Sequence, residues 1–313
     1  QAAFHLNDFE QMLSKKEVLF FPASFKEAYN PVATDNANVL LRSEVLKKLS
    51  FSKKNKIIVT YPKALFEKVI SPHTLKRKTI TIKVGNVLGL DFVNETLFEY
   101  GFDRVNFVTQ PGEFSVRGGI IDVFSFAHQH PYRIEFFDDE IESLRSFDVN
   151  TQLSISPMDR IDLLPNTTEV SFSEKRNSLI DSLPQNSTVV FNQLDHCLEW
   201  IDKFGVIASK KFESLKTTAQ YPPKVLFMSA QELLECLEKQ STVLINNSDR
   251  FKPRVRISAK QSPQPPINKQ FDRLVRILKD NQASGFENYI FCSNDAQRMR
   301  FNEILEVIEA EIN

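Results

Sequence analysis

The order in which short apolar strands and helices follow one another most constrains the fold of this chain. Predicted strands at Val18–Phe21 and Ile57–Thr60 flank a predicted helix at Asn38–Leu49, and a similar alternation returns over Thr188–Ile245. Such a rhythm is typical of a parallel sheet covered by helices, because parallel strands need a long crossover connection. We therefore predict an α/β domain assembled from two separate parts of the chain, residues 1–78 and 161–260.

Strands dominate the intervening segment. After a strand at Thr79–Val84 and a helix at Asp91–Tyr100, four apolar runs separated by turn residues indicate an antiparallel sheet. We predict an inserted α+β domain at residues 79–160, with strands at Val105–Thr109, Ser115–Phe124, Tyr132–Phe137 and Ile141–Phe147.

The carboxyl-terminal part is predicted to contain a linker and a third unit. Strands are expected at Val225–Met228 and, as an edge strand, at Val255–Ile257; residues 261–267 are rich in proline and read as a linker. Residues 268–313 would form part of a small third α/β domain, with one strand at Tyr289–Cys292. Because the chain does not begin with Met, we expect it to be a piece of a longer protein.

Composition excludes several classes of protein. Hydrophobic residues at 42% and charged residues at 25% are typical of globular domains, and the net charge of −1 gives no support for strong DNA binding. No apolar run is long enough to span a membrane, and the first residues do not resemble a signal peptide. Three widely spaced cysteines suit a reducing compartment, so we expect a cytoplasmic protein without a membrane partner.

Neither nucleotide-binding nor catalytic motifs are present. None of the eight glycines precedes a lysine, so the loop that cradles phosphates is absent and no cofactor is expected. His128 and His130, and the carboxylates of Asp138–Glu142, are interpreted as surface groups and not as metal ligands, and His196 beside Cys197 is interpreted as a surface histidine beside a core cysteine. We therefore predict no catalytic residue and no metal site.

A basic stripe near residue 250 allows two interpretations. Its residues alternate with apolar ones, so they are able to follow a nucleic-acid backbone or simply to keep an edge strand soluble. The candidate DNA contacts are Arg250, Lys252, Arg254 and Arg256, with Lys260 beyond them.

The strand Tyr132–Phe137 carries the most informative pattern. By alternation, Ile134 and its neighbours two residues away face the core, whereas Arg133, Glu135 and Phe137 share the other face. An exposed phenylalanine beside an arginine is typical of a protein interface. Burial of the Phe137 ring by another part of this chain is an equally good explanation of the pattern. Gly118-Gly119 indicates a bulge or a close backbone approach, which leaves the face of Arg117 unassigned.

Two stretches in this region resemble the motif shared by the excision-repair protein UvrB and the bacterial transcription-repair coupling factor (Mfd) family. They are Arg117-Gly118-Gly119-Ile120-Ile121-Asp122-Val123-Phe124 and Pro131 through Phe147. A weaker resemblance extends over most of the chain, including Tyr61–Leu65 and Leu163–Pro165.

The resemblance implies that the inserted domain is the docking surface for UvrA, with Arg117, Arg133 and Phe137 as contacts. It also implies that the surrounding domain is a degenerate, RecA-like fold that lacks the phosphate loop. If Arg133 and Phe137 are solvent-exposed, as the alternation suggests, their replacement is expected to leave thermal stability nearly unchanged.

Two absences make the chain more similar to the UvrB-like amino-terminal region of the coupling factors than to UvrB. The phosphate loop is missing, which a truncated chain would also show. Tyr29–Val39 leads into a helix without the long aromatic hairpin with which UvrB grips DNA, and truncation does not explain that absence. The resemblance then implies that RNA polymerase, double-stranded DNA, ATP and Mg²⁺ are bound by other domains of the longer protein. An amino-terminal piece of UvrB and a DNA-binding platform remain the alternatives.

Overall fold

The computed structural model describes most of the chain. The described residues are 2–13, 18–25, 28–29, 36–52, 54–126, 128–165, 176–215, 221–258, 263–268 and 270–312. They belong to two units, Gln1–Pro253 and Arg254–Asn313.

The first unit begins with helix α1 (Ala2–Met12) and a βαβ arrangement. Strand β1 (Val18–Phe21) pairs in parallel with β2 (Ile57–Thr60) over its full length, and α2 (Asn36–Phe51) connects the two. Buried residues of β1 and α2 pack in one hydrophobic core. Both predicted strands are therefore confirmed, and the predicted helix is confirmed with slightly wider bounds.

The chain segments before and after the strand-rich segment pack together within the first unit. Phe66 and Phe227 stack with ring centroids 4.6 Å apart, and the Phe66 carbonyl accepts a hydrogen bond of 2.8 Å from the Met228 amide. The chain before and after the strand-rich segment therefore shares one core. The remaining elements here are α3 (Pro62–Phe66), β3 (Val69–Ile70), α4 (Pro72–Lys78), β12 (Arg176–Asn177), β13 (Thr188–Phe191), α6 (Leu194–Leu215), α7 (Pro223–Leu226), α8 (Ala230–Glu238) and β14 (Ser241–Leu244).

The parallel strands do not join into one sheet within the described residues. β1–β2 and β13–β14 each form a two-stranded parallel sheet, and β3 pairs with β12 in an antiparallel sheet of its own. The unit is therefore a mixed α/β structure, and the RecA-like arrangement stays a prediction.

The strand-rich segment contains the strands β5 (Asp103–Arg104), β6 (Glu113–Arg117), β7 (Ile120–Val123), β8 (Tyr132–Phe137), β9 (Glu140–Phe147) and β10 (Ser154–Pro157). They form a six-stranded sheet in the order β10-β9-β8-β7-β6-β5. Its pairs are antiparallel except for β5 with β6.

One face of this sheet is covered by helix α5 (Leu90–Glu99). Val93 and Leu97 of the helix are buried in the same core as Ile121 and Ile134 of the sheet. The segment is closed where its two ends meet, because β4 (Ile80–Lys83) pairs with β11 (Arg160–Leu163) in antiparallel register.

The second unit contains helices α9 (Phe271–Ala283) and α10 (Asp295–Ile312), whose Phe271 and Phe301 rings lie 6.2 Å apart. The predicted strand at Tyr289–Cys292 is wrong, since this stretch has no strand geometry. Within the described part of the chain, none of the helices has the length and apolar character needed to cross a membrane.

Other strand predictions need correction. Val225–Met228 begins as helix α7, because Pro223 occupies the first helical turn, where proline is favoured. Val105–Thr109 and Val255–Ile257 are irregular, and the predicted strand Ser115–Phe124 is two strands joined by a turn at Gly118-Gly119. Most of the predicted linker, 263–267, is irregular; residues 261 and 262 lie outside the described residues.

Candidate partner-binding surface

β8 occupies an interior position in the six-stranded sheet and presents different chemistry on its two faces. Ile134 is fully buried and lies in register between Ile121 of β7 and Leu144 of β9. Tyr132 is buried on the same side, and Phe136 is partly buried. The core face predicted by alternation is therefore confirmed.

On the opposite face, two arginines converge on one buried carboxylate. Asp122 of β7 is 1% exposed and lies directly opposite Arg133 in the strand register. Arg133 donates from Nε to Asp122 Oδ1 at 2.6 Å and from Nη2 to Oδ2 at 2.9 Å. Arg117 Nη2 also donates to Asp122 Oδ2. The structure thus brings together two of the three residues singled out in the sequence.

Arg133 is less accessible than the sequence suggested. Its side chain is only 16% exposed, and its guanidinium carbon lies 4.7 Å from the centroid of the buried Phe147 ring. The hydrogen bonds to Asp122 raise the pKa of Arg133 above its usual value. The expectation that Arg133 is solvent-exposed is therefore wrong, because a partner on the neighbouring strand and a ring on the same face enclose it.

Arg117 lies at the end of β6 and is more open, with 40% of its side chain exposed. Its guanidinium carbon lies 5.1 Å from the centroid of Phe107, a ring that is itself exposed. Arg117 and Asp122 project from the same face of the sheet. Ser115 of β6 lies opposite Asp122 of β7, and Arg117, two residues beyond Ser115, projects to the same side as Ser115.

The Gly118-Gly119 step is a tight turn against β8. Gly118 has a φ of 56°, in the left-handed region that favours glycine. A Cβ on Gly119 would lie 3.0 Å from the Phe136 carbonyl oxygen, and the Phe136 amide donates to the Gly119 carbonyl at 2.8 Å. The close backbone approach expected from the sequence is confirmed, whereas the bulge is not observed here.

Phe137 ends β8 and is 69% exposed. It lies four residues beyond Arg133, which corresponds to about 13 Å along an extended strand. It is paired with Glu140 across the two-residue turn of Asp138 and Asp139. The prediction of an exposed phenylalanine is confirmed.

A further exposed apolar residue, Val87, was not identified from the sequence. It forms an isolated antiparallel bridge with Glu140 and is 74% exposed. Residues directly opposite one another in paired strands project to the same side. Val87, Glu140 and Phe137 therefore project from the same face. No periodic pattern marks Val87, since it follows the turn after β4.

A separate ion pair lies beside these residues on β8 and β9. Glu135 accepts hydrogen bonds from Arg145 and from the Ser143 hydroxyl. Its charge also acts on Arg133 and contributes to the raised pKa of that residue. We call Arg117, Asp122, Arg133 and Phe137, together with Val87, the docking surface.

The basic stripe predicted near residue 250 lies outside the strand-rich segment. Arg250 forms an ion pair of 3.0 Å with Asp202, and Arg250, Lys252, Arg254 and Arg256 are all exposed on irregular backbone. These four residues are divided between the two units, and Lys260 lies outside the described residues. Their contact with DNA stays a prediction.

The candidate metal ligands of the described residues do not form a cluster. Across the described ranges, His, Cys, Asp and Glu side chains form no group of three that could hold a metal ion. Cys197 is buried, and His196 on the same helix is exposed, as expected.

Comparison with known proteins identifies the strand-rich segment. Residues 80–168 match a family model described as the UvrB interaction domain. The chain is 32% identical to the transcription-repair-coupling factor of Haemophilus influenzae and 31% identical to that of Bacillus subtilis, in each case across 53% of this chain and 14% of the relative. The factor of Rickettsia prowazekii is 27% identical across 97% of this chain and 33% of the relative.

This chain thus spans about a third or less of the length of these relatives. The family model covers the docking surface, since residues 80–168 include β4 to β11. Residues 80–168 are therefore similar to the UvrB interaction domain, and the chain is similar to the UvrB-like amino-terminal region of the transcription-repair-coupling factors.

Proposed function

We propose that this chain is a non-catalytic docking region that recruits UvrA in the manner of UvrB, through Arg117, Arg133 and Phe137. The observation that carries the proposal is the exposed Phe137 ring on the same sheet face as the two arginines, within the segment that matches the UvrB interaction domain. Aromatic residues, phenylalanine included, and arginine are enriched at protein interfaces.

The apolar part of the surface supports binding by burial. Phe137 and Val87 are both largely exposed, and a partner that covered a phenylalanine ring would gain about 2 kcal/mol from that burial alone. Glu140 lies between the two residues in the strand register, and its carboxylate is exposed. A partner would therefore cover Phe137 and Val87 as two apolar contacts on either side of a charge that stays hydrated or is paired.

The charged part of the surface determines which partner chemistry fits. Asp122 neutralises one of the two guanidinium groups, which leaves an excess positive charge on the more exposed Arg117. Arginine forms strong, directional hydrogen bonds with carboxylates. The arginine end of the surface is therefore complementary to an acidic group on the partner, whereas the end around Phe137 carries the exposed carboxylate of Glu140.

Within a longer coupling factor, this region would link excision repair to stalled transcription in the cytoplasm. We propose that it belongs to a degenerate RecA-like domain without a nucleotide site, and that ATP, Mg²⁺, RNA polymerase and double-stranded DNA are bound by other domains. The relatives named above are coupling factors, which favours this function over an amino-terminal piece of UvrB.

Calorimetric titration of purified UvrA with this chain tests the proposal. Replacing Phe137 with Ala should weaken binding about 30-fold, which corresponds to a hot-spot loss of about 2 kcal/mol. The melting temperature should stay nearly unchanged, because the ring is exposed in the free chain.

Phe92 provides the matched control. It is an exposed phenylalanine on α5, the helix that covers the opposite face of the sheet. Phe92→Ala should bind UvrA like the unmodified chain. Equal binding by Phe137→Ala and the unmodified chain, or equal losses in both variants, would reject the docking surface as the UvrA contact.

A further inference from the structure

Arg117 is held from two sides before any partner arrives. Its Nη2 atom donates to Asp122 Oδ2, and its guanidinium carbon lies 5.1 Å from the centroid of the Phe107 ring. Asp122 is buried, whereas Phe107 is exposed. Arginine has five N–H donors, and the contact with Asp122 uses only one of its nitrogen atoms. The other N–H groups of Arg117 are therefore available to donate to a partner.

The two arginines that share Asp122 are not equivalent. Arg133 contacts both carboxylate oxygens and is mostly enclosed. Arg117 contacts one oxygen and is more than twice as exposed, at 40% against 16% of the side chain. Arg133 therefore satisfies the buried carboxylate, and Arg117 carries the excess charge that an approaching partner meets.

We propose that Asp122 and Phe107 are positioning residues that orient Arg117 toward an acidic group on the partner. The inference rests on the proposed function, because it describes how the same surface is prepared for binding. A free arginine side chain loses considerable rotamer freedom when it is fixed in an interface. Contacts already made in the free protein reduce that entropic penalty, so they strengthen binding without touching the partner.

Replacing Asp122 with Asn separates positioning from plain electrostatics. If only the charge of the surface mattered, removal of a negative charge would strengthen binding to an acidic partner. If Asp122 positions Arg117, its removal releases the guanidinium and weakens binding. The two explanations predict changes of opposite sign.

The experiment is a double-variant cycle, measured by calorimetric titration with purified UvrA. Asp122→Asn and Arg117→Ala should each weaken binding about tenfold, and the double variant should be no weaker than Arg117→Ala alone. Asp202→Asn is the matched control, because it removes a carboxylate from an arginine pair on α6, outside the docking surface; its affinity should be unchanged.

Tighter or unchanged binding by Asp122→Asn overturns the role of Asp122, as does a loss that adds fully to that of Arg117→Ala. If Asp122→Asn does not fold, the cycle of Phe107→Ala with Arg117→Ala decides, because Phe107 is exposed. A Phe107→Ala loss that disappears in the Arg117→Ala background supports positioning. An additive loss means that the ring contacts the partner directly and overturns the proposal.

The wild-type chain distinguishes this inference from the proposed function. An unmodified chain that does not bind UvrA rejects the proposed function and, with it, this inference. An unmodified chain that binds UvrA while Asp122→Asn binds equally well rejects only the positioning role.

Discussion

Replacing Arg133 with Ala should destabilise the fold as well as weaken partner binding. The substitution removes two hydrogen bonds of 2.6 and 2.9 Å to Asp122, a carboxylate that is 1% exposed. Among the described residues, Asp122 then keeps its contact with Arg117 as its remaining charged partner. A buried charge that loses a partner retains its desolvation penalty without the compensating attraction, so the folded state is raised in free energy.

The magnitude follows from the burial of the two partners. Removing one member of a fully buried ion pair costs about 3–5 kcal/mol. Arg133 is partly exposed and Arg117 stays in place, so we expect about 2–3 kcal/mol. For a folded unit of about this size each kcal/mol lowers the melting temperature by roughly 2–4 °C, so a loss of about 2–3 kcal/mol lowers it by about 4–12 °C.

Thermal melts followed by circular dichroism, with urea titration as a second measurement, test this expectation. Arg133→Met should behave like Arg133→Ala, and adding Asp122→Asn should restore part of the stability by removing the uncompensated buried charge. Phe137→Ala should have a free energy of unfolding within about 0.5 kcal/mol of that of the unmodified chain. A melt of Arg133→Ala that coincides with the unmodified chain would refute the reasoning.

Three further outcomes are expected. Gly119→Ala should cost about 1–3 kcal/mol in urea titration, because its Cβ would press against the Phe136 carbonyl oxygen 3.0 Å away; a stability equal to that of the unmodified chain would contradict this. Burial lowers the pKa of His128 to about 4, whereas an unfolded histidine titrates near 6.5. Stability from this group is therefore complete above pH ~6.5 and is lost as the pH falls toward ~4; His128→Phe should flatten the curve of melting temperature against pH in that range. Titration with a fluorescent ATP analogue should show no micromolar binding, because no glycine precedes a lysine in the chain.

The core face of β8 was predictable from the sequence because alternation depends only on neighbouring residues. A strand with Ile134 on one side must place Arg133 and Glu135 on the other. The burial of Arg133 was not predictable in this way. It depends on Asp122 lying opposite in register and on the Phe147 ring from β9, and both are contacts between strands that alternation does not specify.

Failed strand predictions have a similar origin. Val225–Met228 is short and apolar, which fits a buried strand or a helical turn equally well. Pro222 and Pro223 decide the outcome, because a proline in the first turn is compatible with a helix and α7 begins there. Val87 was not predictable for another reason. It pairs with the sheet through one isolated bridge, and a single bridge produces no alternating pattern in the sequence.

Stability and recognition are assigned to different residues on this one surface. Asp122 and Arg133 face one another inside the sheet, so their substitution changes the fold and the binding together. Phe137 and Val87 are exposed, so their substitution should change binding alone. Loss of binding in an Arg133 variant therefore does not by itself identify a contact with the partner. Only variants of the exposed residues, compared at equal thermal stability, reveal which side chains the partner touches.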